Sequence, residues 1–310
     1  ASRLGLCYST NEVKSMKYVR PEYYDDFRCI ADKCRHSCCV GWEIDVDPDA
    51  LARYRALEGP LGERLRSSVS MEPEPHFILG RDERCPFLNG RGLCELILEL
   101  GEDSLCDICA EHPRFYNEFS ARTEYGVGMC CEAAAKLLLE RDGAVPLVCE
   151  DLGGGEPEEE RELFELRDRI LLTLGGREFT RAIFRAAEMA GTKLPEADIC
   201  AWRDMLLGLE RLDEGWTEKL DGLRNVGKAE LEAALNDGRY ARVAEYIIFR
   251  HFAAAEADKR GAVVCFAYFT AAVVCALDLR FGRDSEHMRM FSAEIEYSDE
   301  NVALILDKFT

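Results

Sequence analysis

Beyond residue 157 the apolar positions recur at helical spacing. Leu163, Phe164, Leu166, Ile170, Leu171 and Leu174 share one face of a 3.6-residue period, as do Phe179, Ala182, Ile183 and Ala186. Trp202, Met205, Leu206 and Leu209 repeat the pattern, and further helices are predicted over 229–235, 240–252, 262–277 and 301–309. The acidic run at 158–160 suits the start of the first helix, where the backbone dipole favours negative charge. Residues 156–310 therefore read as an all-α bundle with short joints. The stretch 262–277 is apolar or small throughout, but it is shorter than the roughly 20 residues a bilayer span needs. Arg260 and Asp278 flank it closely. It is expected to be a buried core helix, with no membrane partner.

Residues 1–150 lack that periodicity. Their elements are short and broken by Gly and Pro, as at 71–75 and 89–92. Asp47-Pro48 opens a helix through Leu51, Tyr54 and Leu57, with Asp47 as the cap and Pro48 in the first turn. A second helix is predicted over 132–141, directly after Cys130-Cys131. Strand signal is thin: residues 42–46 alternate, with 76–79 as a partner. The segment Asp151-Leu-Gly-Gly-Gly-Glu-Pro157 breaks any helix and reads as the joint between the halves. The expected fold is mainly α, a Cys-rich metal-binding half (1–150) with little sheet packed on an all-α helical half (156–310). The first half has too few long amphipathic elements to close a core alone, so the two are expected to depend on each other. Met16 reads as a start site, which would leave residues 1–15 as an extension.

Composition narrows the chemistry. The net charge of −20 is shared by both halves, with 18 basic and 27 acidic residues up to position 150 and 21 and 32 beyond it. A basic footprint for nucleic acid is absent from each, and an acidic surface favours basic partners such as lysine-bearing proteins. Ten of the fifteen cysteines fall between Cys29 and Cys131. No secretory leader is visible in the first residues, so a cytoplasmic setting is expected, where disulfides are disfavoured and metal is the better tie.

The cysteine spacing is Cys29-x4-Cys34-x3-Cys38-Cys39, then Cys85, Cys94, Cys106, Cys109, Cys130 and Cys131. Paired spacings of zinc ribbons and fingers are missing, and the candidates outnumber the four ligands of one zinc ion. Neighbouring side chains tend to diverge, so Cys38 and Cys39 are placed to face different partners. The count suits one four-thiolate cluster with several thiols to spare, two metal centres, or a cluster with a reactive pair. The Cys-x3-Cys-x2-Cys motif of radical S-adenosylmethionine chemistry fails, because Cys39 follows Cys38 without a gap. No Gly-x-Gly-x-x-Gly loop occurs, so a nucleotide-binding parallel sheet is not expected. Cys7, Cys149, Cys200, Cys265 and Cys275 are expected to bind no metal. His36 and His112 lie among the cysteines as candidate ligands or bases. His251 defaults to a structural role in a helix, and His76 and His287 have no supporting context.

Taken together, several runs resemble the flagellin lysine-N-methylase family. They are Pro21-Glu-Tyr-Tyr-Asp-Asp-Phe-Arg-Cys29, Cys34-Arg-His-Ser-Cys38-Cys39-Val-Gly-Trp42, Cys85-Pro-Phe-Leu88 and Gly92-Leu-Cys94. Leu100-Gly-Glu102, Cys109 with Pro113-Arg114, and Cys130 with Glu132 continue the likeness. So do Tyr246-Ile-Ile-Phe-Arg-His-Phe252 and Glu294-Ile-Glu-Tyr-Ser-Asp-Glu-Asn301. The first part also resembles a broader class of zinc- or iron-chelating cysteine domains. The resemblance implies methylation of lysine amines on flagellin or another lysine-bearing protein, with S-adenosylmethionine as donor and an iron–sulfur cluster, [4Fe–4S] in type. The metal cysteines it implies are Cys29, Cys34, Cys38, Cys39, Cys85, Cys94, Cys109 and Cys130. Departures fall at Cys106, where the family often has serine, at His112, often aromatic, and at Cys131, which can be proline. His112, Arg250 and His251 are candidate catalytic residues, and Arg250 is the candidate to hold a carboxylate of the donor or substrate. Two rival readings are a metal-chelating or redox-sensing protein without methyl transfer, and an interaction protein whose metal is structural.

Overall fold

A computed structural model describes residues 16–153, 155–176 and 178–310. Cys7, the extension expected over 1–15 and the middle glycine of the joint lie outside the described residues. The elements, in chain order, begin with strand β1 (Lys17–Pro21), helices α1 (Pro48–Ala56) and α2 (Gly59–Ser67), and the short strands β2 (Val69–Ser70) and β3 (His76–Phe77). Helices α3 (Glu95–Leu100) and α4 (Asp107–Glu111), strands β4 (Arg114–Glu118) and β5 (Arg122–Val127), helix α5 (Glu132–Leu139) and strand β6 (Leu147–Asp151) complete the first half. The second half is helical: α6 (Glu158–Leu174), α7 (Phe179–Met189), α8 (Ile199–Leu207), α9 (Glu214–Asp221), α10 (Lys228–Ala234), α11 (Gly238–His251), α12 (Arg260–Phe281), α13 (Glu286–Phe291) and α14 (Asp299–Phe309).

Helix α1 starts where Asp47 accepts a hydrogen bond from the Ala50 amide at 2.8 Å, satisfying one orphan donor of the first turn. The segment at 42–46 meets β3 as its alternation predicts, through Val46 N–H to Pro75 O at 2.8 Å and Phe77 N–H to Ile44 O at 2.9 Å. The sheet is larger than expected. It is mixed and four-stranded, in the order β4-β5-β1-β6, with β1 parallel to β5 and antiparallel to β6. The reason it hides from the sequence lies on β5, whose buried side carries Arg122 and Glu124 instead of apolar residues. Glu124 is fully buried and takes both terminal nitrogens of Arg167 on α6, at 2.6 and 2.8 Å. That bidentate pair ties the sheet to the helical half.

Two hydrophobic cores result. The smaller gathers Ile44, Val46, Tyr54, Leu65, Phe77 and Phe87 around α1, α2 and β3. The larger runs through both halves, joining Tyr23, Val127, Met129 and Leu138 to the helices from α6 onward. At its centre is α12, which extends the expected 262–277 helix at both ends. It is long and apolar enough to cross a bilayer, yet 94% of its most apolar window is buried inside the protein.

Candidate functional site

The ten cysteines from Cys29 to Cys131 fall at the edges of the two cores. The fourteen among the described residues carry free thiols. Cys85 and Cys106 belong to the smaller core, and Cys39, Cys94 and Cys109 pack against it. Backbone bonds set their spacing: Cys85 N–H donates to Cys39 O at 2.8 Å, Cys109 N–H to Cys106 O at 3.0 Å, and Leu88 bridges to Cys94. A second group stands at the edge of the larger core. Cys131 packs on that core as the residue before α5. The loop bearing Cys29, Cys34 and Cys38 is fastened beside it. There Glu132 accepts from the Arg35 amide at 2.7 Å and Arg35 Nε at 2.9 Å, with Cys34 Sγ at 3.6 Å from the same carboxylate. His36 Nε2 reaches Glu286 on α13 at 3.0 Å. Burial opposes the Glu286 charge, but His36 and Arg289 hold its pKa down to about 2.

The electrostatics link the two groups at Cys38 and Cys39. Thiol–thiol hydrogen bonding raises Cys38 and lowers Cys39, and Cys38 also senses Cys29 and Cys131. Burial pushes Cys85 up to about 11, with Cys39, Cys94 and Cys106 adding to it. Among the described residues, no three donors already stand in metal-ligand geometry. The chemistry of the donor set nonetheless fits a thiophilic metal, since soft thiols suit zinc or iron–sulfur centres.

Behind the second group is a buried polar network. Helix α11 presents Tyr246, Arg250 and His251 toward Glu296, whose side chain is fully buried. Glu296 ends a single π-helical turn, Ser292–Glu296, a distortion that re-aims side chains and recurs at functional positions. Its Oε1 accepts from Tyr246 Oη at 2.7 Å and His251 Nε2 at 2.9 Å, and its Oε2 accepts from Ser292 Oγ at 2.5 Å; Arg250 Nη1 pairs with Oε1 at 3.1 Å and donates its hydrogen bond to Tyr246 Oη at 2.8 Å. A carboxylate only accepts, so His251 carries its proton on Nε2. Burial opposes the Glu296 charge, yet Arg250, His251 and Ser292 keep its pKa near 2. The Arg250 guanidinium lies between the rings of Phe115 and Tyr297, 4.6 Å from each centroid. Tyr297 meets Trp42 edge-on with centroids 6.1 Å apart. It also requires a glycine at 128, where a Cβ would lie 1.8 Å from the tyrosine oxygen. A shallow cleft opens beside Trp42, between residues 41–43 and 76–79, with Glu43 and Glu83 at its edge. An indole and two carboxylates are groups that could hold a nucleoside.

The expected site residues thus fall in three places. Cys39, Cys85, Cys94 and Cys109 come together, joined by Cys106. Cys29, Cys34 and Cys38 meet Cys131 rather than Cys130. Cys130 turns inward to Tyr297, and burial pushes its pKa up to about 12. Arg250 and His251 meet in the Glu296 network, and the carboxylate Arg250 holds is the protein's own. His112 follows α4, and burial lowers its imidazole pKa to about 4. Glu296, Tyr297 and Glu132 went unassigned in the sequence, although each stands in a run that carries the resemblance.

Curated proteins similar to this chain include the lysine-N-methylases of Salmonella choleraesuis (strain SC-B67) and Salmonella typhimurium (strain LT2). Each is 22% identical over 149 residues, covering 44% of this chain and 35% of the relative. The flagellar biosynthetic protein FliU of Salmonella muenchen is 20% identical over 142 residues, 44% of this chain and 84% of that protein. The chain thus matches about a third of the length of the two methylases. No family model matches, and neither does any solved structure. By these similarities the chain is a distant relative of the lysine-N-methylases.

Proposed function

We propose that this protein is an S-adenosylmethionine-dependent methyltransferase acting on lysine side chains of a protein, with an iron–sulfur cluster on Cys29, Cys34, Cys38 and Cys131. One observation supports it beyond the similarity itself. Runs of the resemblance that are far apart in sequence, around Trp42, Cys130, Tyr246 to His251 and Glu296 to Tyr297, converge on one seam beside the thiols. When bound, the donor supplies an electrophilic methyl group on a sulfonium, and the cluster supplies charge and a fixed scaffold.

The chain's own residues carry the rest. The cleft beside Trp42 is our assignment for the donor, with the indole face for the adenine and Glu43 and Glu83 for the ribose hydroxyls. Methyl transfer is chiefly a positioning problem, because sulfur, methyl and amine must be in line. Glu296, held ionised by Arg250 and His251, locks Tyr297 and Arg250 in place behind that cleft. The lysine must arrive as the free amine, and the acidic surface favours its approach. Flagellin is the proposed substrate, since one relative is named for flagellar biosynthesis.

The test is transfer of labelled methyl from S-adenosylmethionine to flagellin and to total cell protein, using anaerobically purified chain. Lysine-borne label that falls at least tenfold in Trp42→Ala supports the proposal. An intact, metal-loaded protein that neither binds the donor nor labels any protein would remove it. The metal-chelating or redox reading would then take its place, favoured by the thiol pairing of Cys38 with Cys39.

A further inference from the structure

The sheet leaves one strand open beside Arg250. In the order β4-β5-β1-β6, strand β4 has a partner on one side only. Its register runs from Arg114 opposite Val127 to Glu118 opposite Thr123. Just beyond the two ends, Gly128 N–H donates to Pro113 O at 2.7 Å and Phe119 N–H to Arg122 O at 2.8 Å. Hydrogen-bonded pairs alternate along an antiparallel ladder, so Phe115 and Asn117 bond toward β5. The amides and carbonyls of Arg114, Tyr116 and Glu118 point the other way, and none of them has a hydrogen-bond partner among the described residues. Tyr116 is 42% exposed and Glu118 is exposed beside it, so this edge faces solvent. An open row of amides and carbonyls is a template for another extended chain.

We propose that the β4 edge binds an extended, lysine-bearing segment of the protein substrate as a fifth strand. Main-chain pairing gives such a surface its affinity, and alternate side chains give it selectivity. The first argument for this occupant is charge. From Glu95 to Glu111, directly ahead of β4, the chain carries six acidic residues and no basic one. Glu111 is tied to the strand, accepting from Tyr116 Oη at 2.6 Å, and Glu118 stands exposed at its far end. The strand's one cation, Arg114, is turned away, donating to Tyr24 Oη at 3.0 Å and Ala110 O at 3.3 Å. The second argument is position. On the other face of β4 the Phe115 ring lies 4.6 Å from the Arg250 guanidinium, and Asn117 Nδ2 donates to Arg250 O at 2.7 Å. An added strand projects every second side chain onto that same face, beside the network where we place methyl transfer. The opposite edge, β6, lies at the far side of the sheet. The identity of the partner rests on the methylase reading above; the open edge does not.

The experiment measures binding of the full chain, without methyl donor, to a labelled peptide alternating lysine with valine and to its counterpart with glutamate in place of lysine. Fluorescence anisotropy should show the lysine peptide bound about tenfold more tightly or better. Tyr116→Pro removes one outward amide and leaves the bonds to β5 in place, and should weaken that binding about tenfold. Cys149→Pro, at an outward position of β6, should leave it unchanged. Equal binding by Tyr116→Pro with native circular dichroism, or no preference for lysine, would overturn the proposal. Should Tyr116→Pro not fold, hydrogen exchange in wild type decides. The peptide is expected to slow the amides of Tyr116 and Glu118, and slowing on β6 instead, or at neither edge, refutes the surface. Protection of β4 that grows with protein concentration and excludes the peptide would give the edge to a second copy of the chain, and overturns the proposal too. A chain that binds the lysine peptide at β4 but transfers no methyl group fails the methylase reading only. One that methylates protein equally well as Tyr116→Pro fails this inference only.

Discussion

Glu245 offers a direct test of the packing between α11 and the first half. It is buried at 4% exposure on α11, in the larger core. Its Oε2 accepts the Val145 amide at 3.1 Å, but Oε1 is buried with no partner among the described residues. Burial raises the carboxyl pKa from the usual 4.5 to about 7, with the Val145 amide and Arg242 only partly offsetting it. Between those values the native chain holds a proton that the unfolded chain has released, so stability falls as pH rises through the window. Each pH unit there is worth up to about 1.4 kcal/mol, and the full displacement about 3 kcal/mol. Glu245→Gln removes the titration while keeping an acceptor for Val145. Its stability relative to wild type should therefore rise by about 3 kcal/mol between pH 4.5 and pH 8. The assay is urea unfolding of both proteins followed by circular dichroism across that range. Glu286 and Glu296, whose depressed values make stability fall as pH drops below 4.5, are present in both proteins and cancel in the difference. A difference flat with pH, or one that favours wild type as pH rises, would refute the reasoning whatever the constant offset.

Three further outcomes follow from named contacts. Arg167→Met leaves Glu124 buried with only Arg122 beside it, and should cost about 3–5 kcal/mol in urea unfolding; adding Glu124→Leu should recover much of that, and no recovery would count against the pairing. Gly128→Ala forces Tyr297 off Arg250 and should lower stability by about 1–3 kcal/mol, with a changed near-ultraviolet tyrosine signal marking the displacement. Replacing Cys149, Cys200, Cys265 and Cys275 by alanine, one at a time, should leave any metal content of the purified protein unchanged, since the first two are exposed and the last two are buried in α12.

The helical half was legible because its signals are local. Apolar spacing alone locates α6, α7, α8, α11, α12 and α14 to within a few residues, and Asp47-Pro48 marks the start of α1. The sheet was not, because β5 spends its buried positions on Arg122 and Glu124, whose partner Arg167 lies some forty residues away. A charged residue in a strand-length run reads as a solvated face until its partner is known. The thiols were legible as one set by type and number, but not in their grouping. That depends on which core each loop settles against. Glu296 was hidden for the same reason as Glu124: in a helical run glutamate reads as surface, and only the fold brings Tyr246, Arg250 and His251 to it.

Strand β1 pairs with nothing near it in sequence. Its parallel partner begins at Arg122 and its antiparallel partner ends at Asp151. During synthesis at about 5–20 residues per second, β1 leaves the ribosome roughly ten seconds before its last partner does. The smaller core, by contrast, lies wholly between Cys39 and Cys109 and is complete on emergence well before the sheet can close. The order of assembly is thus written into the topology. The thiols of the smaller core come together while β1 still waits, and the seam against Cys131 closes only when the rest of the chain has arrived.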